Sequence, residues 1–155
     1  MPRLNNGDAF PMLTLDTVEH GTISVARRLP RCRPDVPRVL VPLLQRATPA
    51  FARANEKLNE LGIKVVALSV DDNAAAASLV EKHRLNFPVG YGVDAETIAA
   101  STGAYVNDNP RYFQSTGFVL NPDGKVITAV YSSGAIGRLV AEDVIGFVRY
   151  VKSQR

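Results

Sequence analysis

Thiol chemistry has one candidate in this chain, because Cys32 is the only cysteine among the 155 residues. It lies in the segment R-L-P-R-C-R-P, where Arg31 and Arg33 favour the reactive thiolate form. The two nearby prolines, however, predict a loop rather than the start of a helix. A single cysteine excludes an intramolecular disulfide. We interpret Cys32 as an incidental loop thiol in the first instance, and as a weak catalytic candidate in the second.

The other residues able to do chemistry do not form a recognisable site. His20 falls in a predicted turn and His83 near a predicted helix end, and neither has partners at a spacing suited to zinc. Asp71 and Asp72 are adjacent carboxylates, but they stand between a predicted strand and a predicted helix, where capping of the helix explains them. We therefore expect no metal and no cofactor.

The length and composition indicate an ordinary globular protein. A chain of 155 residues suits one compact domain, residues 1–155, with its own core. The net charge of +3 arises mostly from arginines within residues 27–38, with no interleaved aromatic residues, so we do not expect nucleic-acid binding. The sequence shows no apolar run long enough for a membrane and no secretory pattern at its start, which predicts a cytoplasmic location.

The order of predicted elements favours one α/β architecture. The apolar pattern predicts a hairpin at 10–16 and 22–25, helices at 48–61, 74–83, 94–101 and 141–152, strands at 63–70, 87–89, 117–120 and 126–131, and an irregular connection at 103–114. This order is typical of a thioredoxin fold with an extra hairpin in front. A doubly wound nucleotide-binding fold would need a glycine-rich first turn, and Gly134 to Gly137 comes too late in the chain.

Four segments carry a family resemblance: G-D-A-F-P-M-L-T-L, K-V-V-A-L-S-V-D-D, K-H-R-L-N-F-P-V and F-V-L-N-P-D-G-K-V. With these, the chain resembles peroxiredoxin-like redoxins of the AhpC/TSA family. The resemblance implies an α/β, thioredoxin-like fold, in which helices flank a central mixed β-sheet and an N-terminal β-hairpin is added. It also implies a thiol-dependent antioxidant oxidoreductase that reduces peroxides or disulfides, with thioredoxin or a small thiol as reductant, and a possible homodimer.

The cysteine motif of these redoxins is missing. In the most similar subgroup, the strand before the first long helix leads into W-C-P-Y-C, where the helix N-terminus favours the thiolate. The equivalent segment here, Val36 to Pro49, contains no cysteine. The altered active-site positions are Leu40, Val41, Pro42, Leu43 and Leu44.

A second reading frame contains the missing motif. Leu40 to Pro49 can be encoded as ctg gtg ccc cta ctg caa cgc gca act ccg, and reading from the second base gives W-C-P-Y-C-N-A-Q-L-R. Val36 to Val39 shifts in the same way to F-R-A-S. Two bases in each shifted codon are fixed by the amino acids present, which makes a chance match of this length improbable. We infer a compensated pair of frame changes, arising from a sequencing error or from a genuine mutation.

Arg111 is the remaining candidate that the resemblance suggests. Related peroxiredoxins use an arginine to stabilise the thiolate and polarise the peroxide, at a position that falls nearest Ser115 here. Arg111 is four residues earlier, in the predicted irregular connection, so it is a weak catalytic candidate.

If the frame that encodes Val36 to Pro49 is the real one, the alternative function is a catalytically inactive thioredoxin-fold binding module. Pro34, Pro37 and Pro42 would also weaken a central strand, although Val39 to Val41 could still form a short buried one. We expect residues 26–36 to be poorly packed.

Overall fold

The computed structural model describes residues 3–25, 39–43, 49–108, 111–114, 116–131 and 141–153. The strands are β1 (Leu13–Thr17), β2 (Gly21–Val25), β3 (Val39–Leu43), β4 (Lys64–Val65), β5 (Ala67–Leu68), β6 (Val89–Gly90), β7 (Val106–Asp108), β8 (Arg111–Phe113), β9 (Thr116–Leu120) and β10 (Val126–Tyr131). The helices are α1 (Pro49–Glu60), α2 (Asn73–His83), α3 (Ala95–Thr102) and α4 (Ala141–Ser153). No helix in these ranges is long and apolar enough to cross a membrane.

One mixed sheet organises the described part of the chain. Its strands run in the order β10-β9-β3-β5-β6-β1-β2, with β4 paired to β3 just ahead of β5. β3, β5 and β6 are parallel to one another, whereas β9 is antiparallel to β3 and the β1–β2 hairpin joins β6 antiparallel. Parallel neighbours need crossover connections, which α1 and α2 provide. The predicted α/β architecture, with a mixed sheet, flanking helices and an N-terminal hairpin, is confirmed.

Apolar side chains form a core on each face of the sheet. One core joins the strands to α1, α2 and α4 through residues such as Phe51, Val80 and Val148. The other joins the strands to α3 and to Phe113 in β8. β3 serves both cores, because successive residues of a strand point to opposite faces: Leu40 belongs to the first core and Val41 to the second. β3 is therefore the middle of the fold.

The helix starts follow from local sequence. Asp72 precedes α2 and its side chain accepts a hydrogen bond from the Ala75 N–H at 2.8 Å. Asp94 does the same for α3, accepting from Glu96 N–H at 3.2 Å. Each carboxylate satisfies a backbone donor that the first helical turn leaves free. Asp72 was one of the two capping residues that the sequence predicted for α2.

The strand predicted at 63–70 is interrupted in its middle. β3 pairs with β4 at Leu40↔Val65 and next with β5 at Leu43↔Leu68. Between these pairs, Val66 N–H donates to the Leu40 carbonyl at 2.9 Å. In a parallel ladder, the next bond would run from the residue at position 42 to the Val66 carbonyl. Pro42 has no N–H, so the ladder breaks there and one predicted strand becomes two short ones.

The prediction of an irregular connection over 103–114 is wrong. β7 and β8 form a two-stranded antiparallel hairpin, with the register Val106↔Phe113. Phe113 is fully buried in the second core. The strands are only three residues long, which is too short for apolar alternation in the sequence to predict them. Their formation also depends on the contact that Phe113 makes elsewhere in the fold.

Candidate active site

The carboxyl ends of the parallel strands form the edge of the sheet where α/β proteins place their ligands. β3 ends there at Leu43 and β5 ends at Leu68. The chain after β5 is tied down, because Ser69 N–H donates to the Gly90 carbonyl at 2.8 Å and Ser69 Oγ accepts from Asp71 N–H at 3.1 Å. We therefore take the end of β3 as the candidate active site.

The altered positions 40–43 belong to the buried strand β3. Leu40 and Val41 are fully buried, Leu43 is 3% exposed and Pro42 is also buried. Helix α1 is described from Pro49. The resemblance placed a cysteine motif at a helix N-terminus, but these four residues occupy strand positions instead. The prediction that Val39 to Val41 form a short buried strand is confirmed, and that strand extends through Pro42 to Leu43.

Two buried polar residues that the sequence analysis did not select lie beside this strand end. Thr116 pairs with Leu43 across the β3–β9 ladder and is 4% exposed. Its hydroxyl donates to the Gln114 carbonyl at 3.0 Å. Gln114 is 9% exposed, and its Oε1 is buried without a hydrogen-bond partner among the described residues. The signal that could have found them is the polar Q-S-T run directly before an apolar strand.

Of the two weak catalytic candidates, the structure describes only Arg111. Arg111 begins β8, and its backbone pairs with Asp108. It therefore belongs to a strand, which corrects its assignment to an irregular connection. Cys32 and Leu44 lie outside the described residues. The predicted poorly packed segment 26–36 and the Gly134 to Gly137 loop also lie outside them. No catalytic role for these residues is tested by the geometry.

The histidines and the paired carboxylates remain apart from the site. His20 lies in the β1–β2 turn, with Nδ1 3.0 Å from the Val18 carbonyl. His83 ends α2. Within the described ranges, no three histidine, cysteine, aspartate or glutamate side chains come together as a metal site would require. Asp72 caps α2, as predicted, whereas Asp71 precedes it and is held through its backbone by Ser69.

On the far side of β9, Tyr131 of β10 pairs with Thr116, and the N-terminal segment packs on Tyr131. The Tyr131 hydroxyl lies 3.0 Å from the Leu4 carbonyl and 2.9 Å from the Thr102 carbonyl. Burial raises the pKa of this hydroxyl above its ordinary value of 10.0, since the phenolate would lose solvation. The Arg3 guanidinium lies over the Tyr105 ring, 4.2 Å from its centroid. These contacts hold the N-terminal segment and the end of α3 against β10.

A cavity of about 460 Å³ lies at the opposite edge of the sheet. It is lined by Val39 and Lys64, where β3 and β4 begin, and by Phe87 and Pro88 before β6. Half of its remaining lining residues are apolar and half are polar, with Asn55, Asn59 and Asn86 among the polar ones. The lining also includes Val25, which precedes the segment 26–38 that lies outside the described residues. Nothing in this lining points to the chemistry expected at the carboxyl edge.

The family model for AhpC/TSA proteins matches residues 37–129, more than half of the chain. The chain belongs to the AhpC/TSA family. The resemblance carried by the four quoted segments is thus confirmed. No curated protein matches the chain by sequence comparison.

Solved peroxiredoxin structures share the fold of this AhpC/TSA chain. AhpC of Mycobacterium tuberculosis is 18% identical with a TM-score of 0.75, covering 99% of this chain and 96% of its own. Peroxidoxin BcpB of the same organism is 20% identical with a TM-score of 0.75, covering 96% and 98%. AhpC of Enterococcus faecalis is 14% identical with a TM-score of 0.77, covering 98% and 94%. At these identities the likeness establishes the thioredoxin-like fold.

Proposed function

We propose that the working form of this protein is a thiol-dependent antioxidant oxidoreductase that reduces peroxides or disulfides. Its thiols would come from the second reading frame, which encodes cysteines at positions 41 and 44. The observation that carries the proposal is their place: position 41 is the third of the five residues of the central strand β3, and position 44 directly follows the last of them. Membership of the AhpC/TSA family supports the same reaction class.

The chemistry follows from a C-x-x-C pair beside a βαβ unit. The first cysteine, as thiolate, attacks one peroxide oxygen, so an S–O bond forms and the O–O bond breaks. The leaving oxygen takes a proton and departs as an alcohol or water. The resulting sulfenic acid is attacked by the second thiol, which forms a disulfide and releases water. Thioredoxin or a small thiol then reduces the disulfide by exchange.

The cysteine pair also requires a different backbone at this point. Helix α1 begins at Pro49, and position 41 is the third residue of a five-residue strand. A thiol there would be buried in the second core beside Phe118, with which position 41 pairs. A reactive thiolate needs exposure and an electropositive surrounding. We infer that the second-frame segment places position 41 at the start of the helix rather than inside a strand.

The reading-frame part of the proposal has a direct test. The gene is resequenced across the codons for residues 26–50, and the intact mass of the purified protein is measured. A sequencing error predicts a gene that encodes W-C-P-Y-C and a mass that matches the second-frame segment. A mass that equals the encoded sequence excludes the error and leaves a genuine mutation.

A second candidate is a catalytically inactive thioredoxin-fold binding module. It is favoured by one observation: β3 presents only apolar side chains, and no thiol, at the candidate site. The test is thiol-dependent consumption of hydrogen peroxide by the encoded chain. Absence of turnover, with Cys32 unreactive towards a sulfenic-acid probe, supports the inactive module. Turnover that disappears in Cys32→Ser excludes it.

The remaining assignments are proposals of the same kind. We propose one domain over residues 1–155, a homodimer and a cytoplasmic location, with no nucleic-acid partner. Limited proteolysis tests the domain, and light scattering of the purified chain tests the dimer. Fractionation of the source cells tests the location.

A further inference from the structure

Asn6 and Gly7 form the only asparagine–glycine pair in the sequence. Both residues are exposed, and they occupy the tip of a turn that the Asp8 N–H closes by donating to the Asn5 carbonyl at 3.0 Å. A Cβ atom added to Gly7 would meet no atom of the described residues within 4 Å. The Asn6 carboxamide therefore lies in water, next to a peptide nitrogen that no side chain of its own residue shields.

We propose that Asn6 is a modification site, at which the side-chain amide is lost without an enzyme. The Gly7 nitrogen gives up its proton and attacks Asn6 Cγ, so that a C–N bond forms. The bond from Cγ to the amide nitrogen breaks, and this nitrogen takes a proton and leaves as ammonia. Water then opens the cyclic succinimide at either carbonyl and yields aspartate or isoaspartate. The reaction uses no thiol and depends on neither reading of residues 36–49.

The N-terminal strap, residues 3–10, controls this reaction because it holds the attacking nitrogen. Gly7 N–H donates to the Val126 carbonyl at 2.8 Å, and Val126 N–H donates back to the Asp8 carbonyl at 2.8 Å. A nitrogen held in this way keeps its proton and does not turn towards Asn6 Cγ. The reaction therefore proceeds when the strap opens, and exposed segments open locally at a smaller free energy than the core does.

The isoaspartate product releases the strap from β10. In this product the backbone runs through the former side chain of Asn6, which adds one methylene group before the Gly7 nitrogen. The longer turn no longer brings Gly7 N–H to the Val126 carbonyl. Because ammonia has left, hydrolysis does not restore the amide, and the strap stays open in the modified molecules.

The first experiment locates the modification by mass. The encoded chain is kept at neutral pH for several weeks, and the tryptic peptide 4–27 is fragmented in a mass spectrometer. We expect Asn6 to gain one dalton and Asn5 to stay unchanged, because Asn5 precedes a residue with a side chain and its amide donates to the Arg3 carbonyl at 3.1 Å. Asn6→Gln is the matched control, since its longer side chain closes the ring far more slowly. No gain at Asn6, or a gain no faster than at Asn5, overturns the proposal.

The second experiment tests control by the strap. Deamidation of Asn6 in the folded chain, relative to a synthetic peptide of residues 3–10, should be slowed by the same factor as hydrogen exchange of Gly7 N–H. Tyr131→Phe removes the hydroxyl that donates to the Leu4 carbonyl at 3.0 Å, and it should speed both processes roughly fivefold. Two clearly different factors in the parent chain, or faster exchange in Tyr131→Phe with unchanged deamidation, overturns control by the strap.

The third experiment tests the release. The isoaspartate form, separated from the parent by chromatography, should melt roughly 2–4 °C below it and lose the protection of Gly7 N–H against exchange. The aspartate form keeps the length of the backbone and serves as the control. An isoaspartate form with the melting temperature and the Gly7 protection of the parent overturns the release of the strap.

Discussion

β3 and β9 are neighbouring strands at the middle of the sheet. They differ in how they pair with the strands on their other sides and in the side chains that they carry at the candidate site. Each has five residues, and both are almost entirely buried. They pair with each other in an unbroken antiparallel register from Val39↔Leu120 to Leu43↔Thr116. On its other side, however, β3 meets β4 and β5 in a ladder interrupted at Val66, and β9 meets β10 with a register shift between Val126 and Thr128.

The difference shows which properties of a central strand apolar residues can supply. Any run of buried aliphatic side chains can fill both cores, and V-L-V-P-L does so. A complete backbone ladder and a reactive group at the strand end need particular residues at particular positions. At this point β9 has the polar residue Thr116, and Gln114 lies two residues before it. β3, in contrast, has Pro42 in its ladder and no polar side chain.

The largest expected effect compares one leucine from each strand. Leu40 and Leu120 are both fully buried, so Leu40→Ala and Leu120→Ala should each lower the free energy of unfolding by about 2–5 kcal/mol. Urea unfolding of the two variants measures the comparison. A loss below about 1 kcal/mol for Leu40→Ala, with the full loss for Leu120→Ala, would mean that β3 is not packed as a core strand.

A smaller effect is expected from Pro42. Pro42→Val supplies the backbone N–H that Pro42 cannot donate to the ladder, and we expect a gain of about 1 kcal/mol in the free energy of unfolding. Replacing a proline also makes the unfolded chain more flexible, which offsets part of the gain. Pro11→Ala, outside the strands, serves as the control for that effect. A loss in Pro42→Val equal to that in Pro11→Ala would contradict the account of the interrupted ladder.

The smallest effect concerns the far side of β9, where Tyr131 pairs with Thr116. Burial raises the pKa of Tyr131, so the unfolded chain releases this proton near pH 10 while the folded chain retains it to higher pH. The contribution is complete below pH 10 and is lost as the pH rises through the folded pKa. Tyr131→Phe should therefore lose less stability than the parent above pH 10, as measured by urea unfolding. Equal slopes would show that the hydroxyl is not buried in the folded protein.

How much of the fold the sequence could predict depends on how local the signals were. The β9–β10 hairpin was predicted because Asn121 to Gly124 encode its turn, and Asn121 Oδ1 indeed accepts from Asp123 and Lys125 N–H at 2.9 Å. The break at Val66 was not predictable from residues 63–70, because it is caused by Pro42 on another strand. The β7–β8 hairpin was missed because the burial of Phe113 is a tertiary effect.

The site was less predictable than the fold. Sequence reasoning identified the altered segment and the frame that restores its motif. It allowed a short buried strand at Val39 to Val41, but it could not show that the strand continues through Pro42 to Leu43, because proline is disfavoured inside a central strand. Gln114 was passed over because it belonged to a stretch interpreted as surface connection, and only the packing of the hairpin reveals that it is buried.

The central claim is that the end of β3 becomes a redox site when the second frame is restored. Its most direct test uses a frame-restored chain, in which F-R-A-S-W-C-P-Y-C-N-A-Q-L-R replaces residues 36–49. Thiol-dependent hydrogen peroxide consumption by this chain is compared with that of the encoded chain and of a restored chain carrying serine at positions 41 and 44. Circular dichroism first establishes that all three fold. We predict turnover in the frame-restored chain and none in the other two. A folded frame-restored chain without turnover, or turnover equal to that of its serine variant, would contradict the claim.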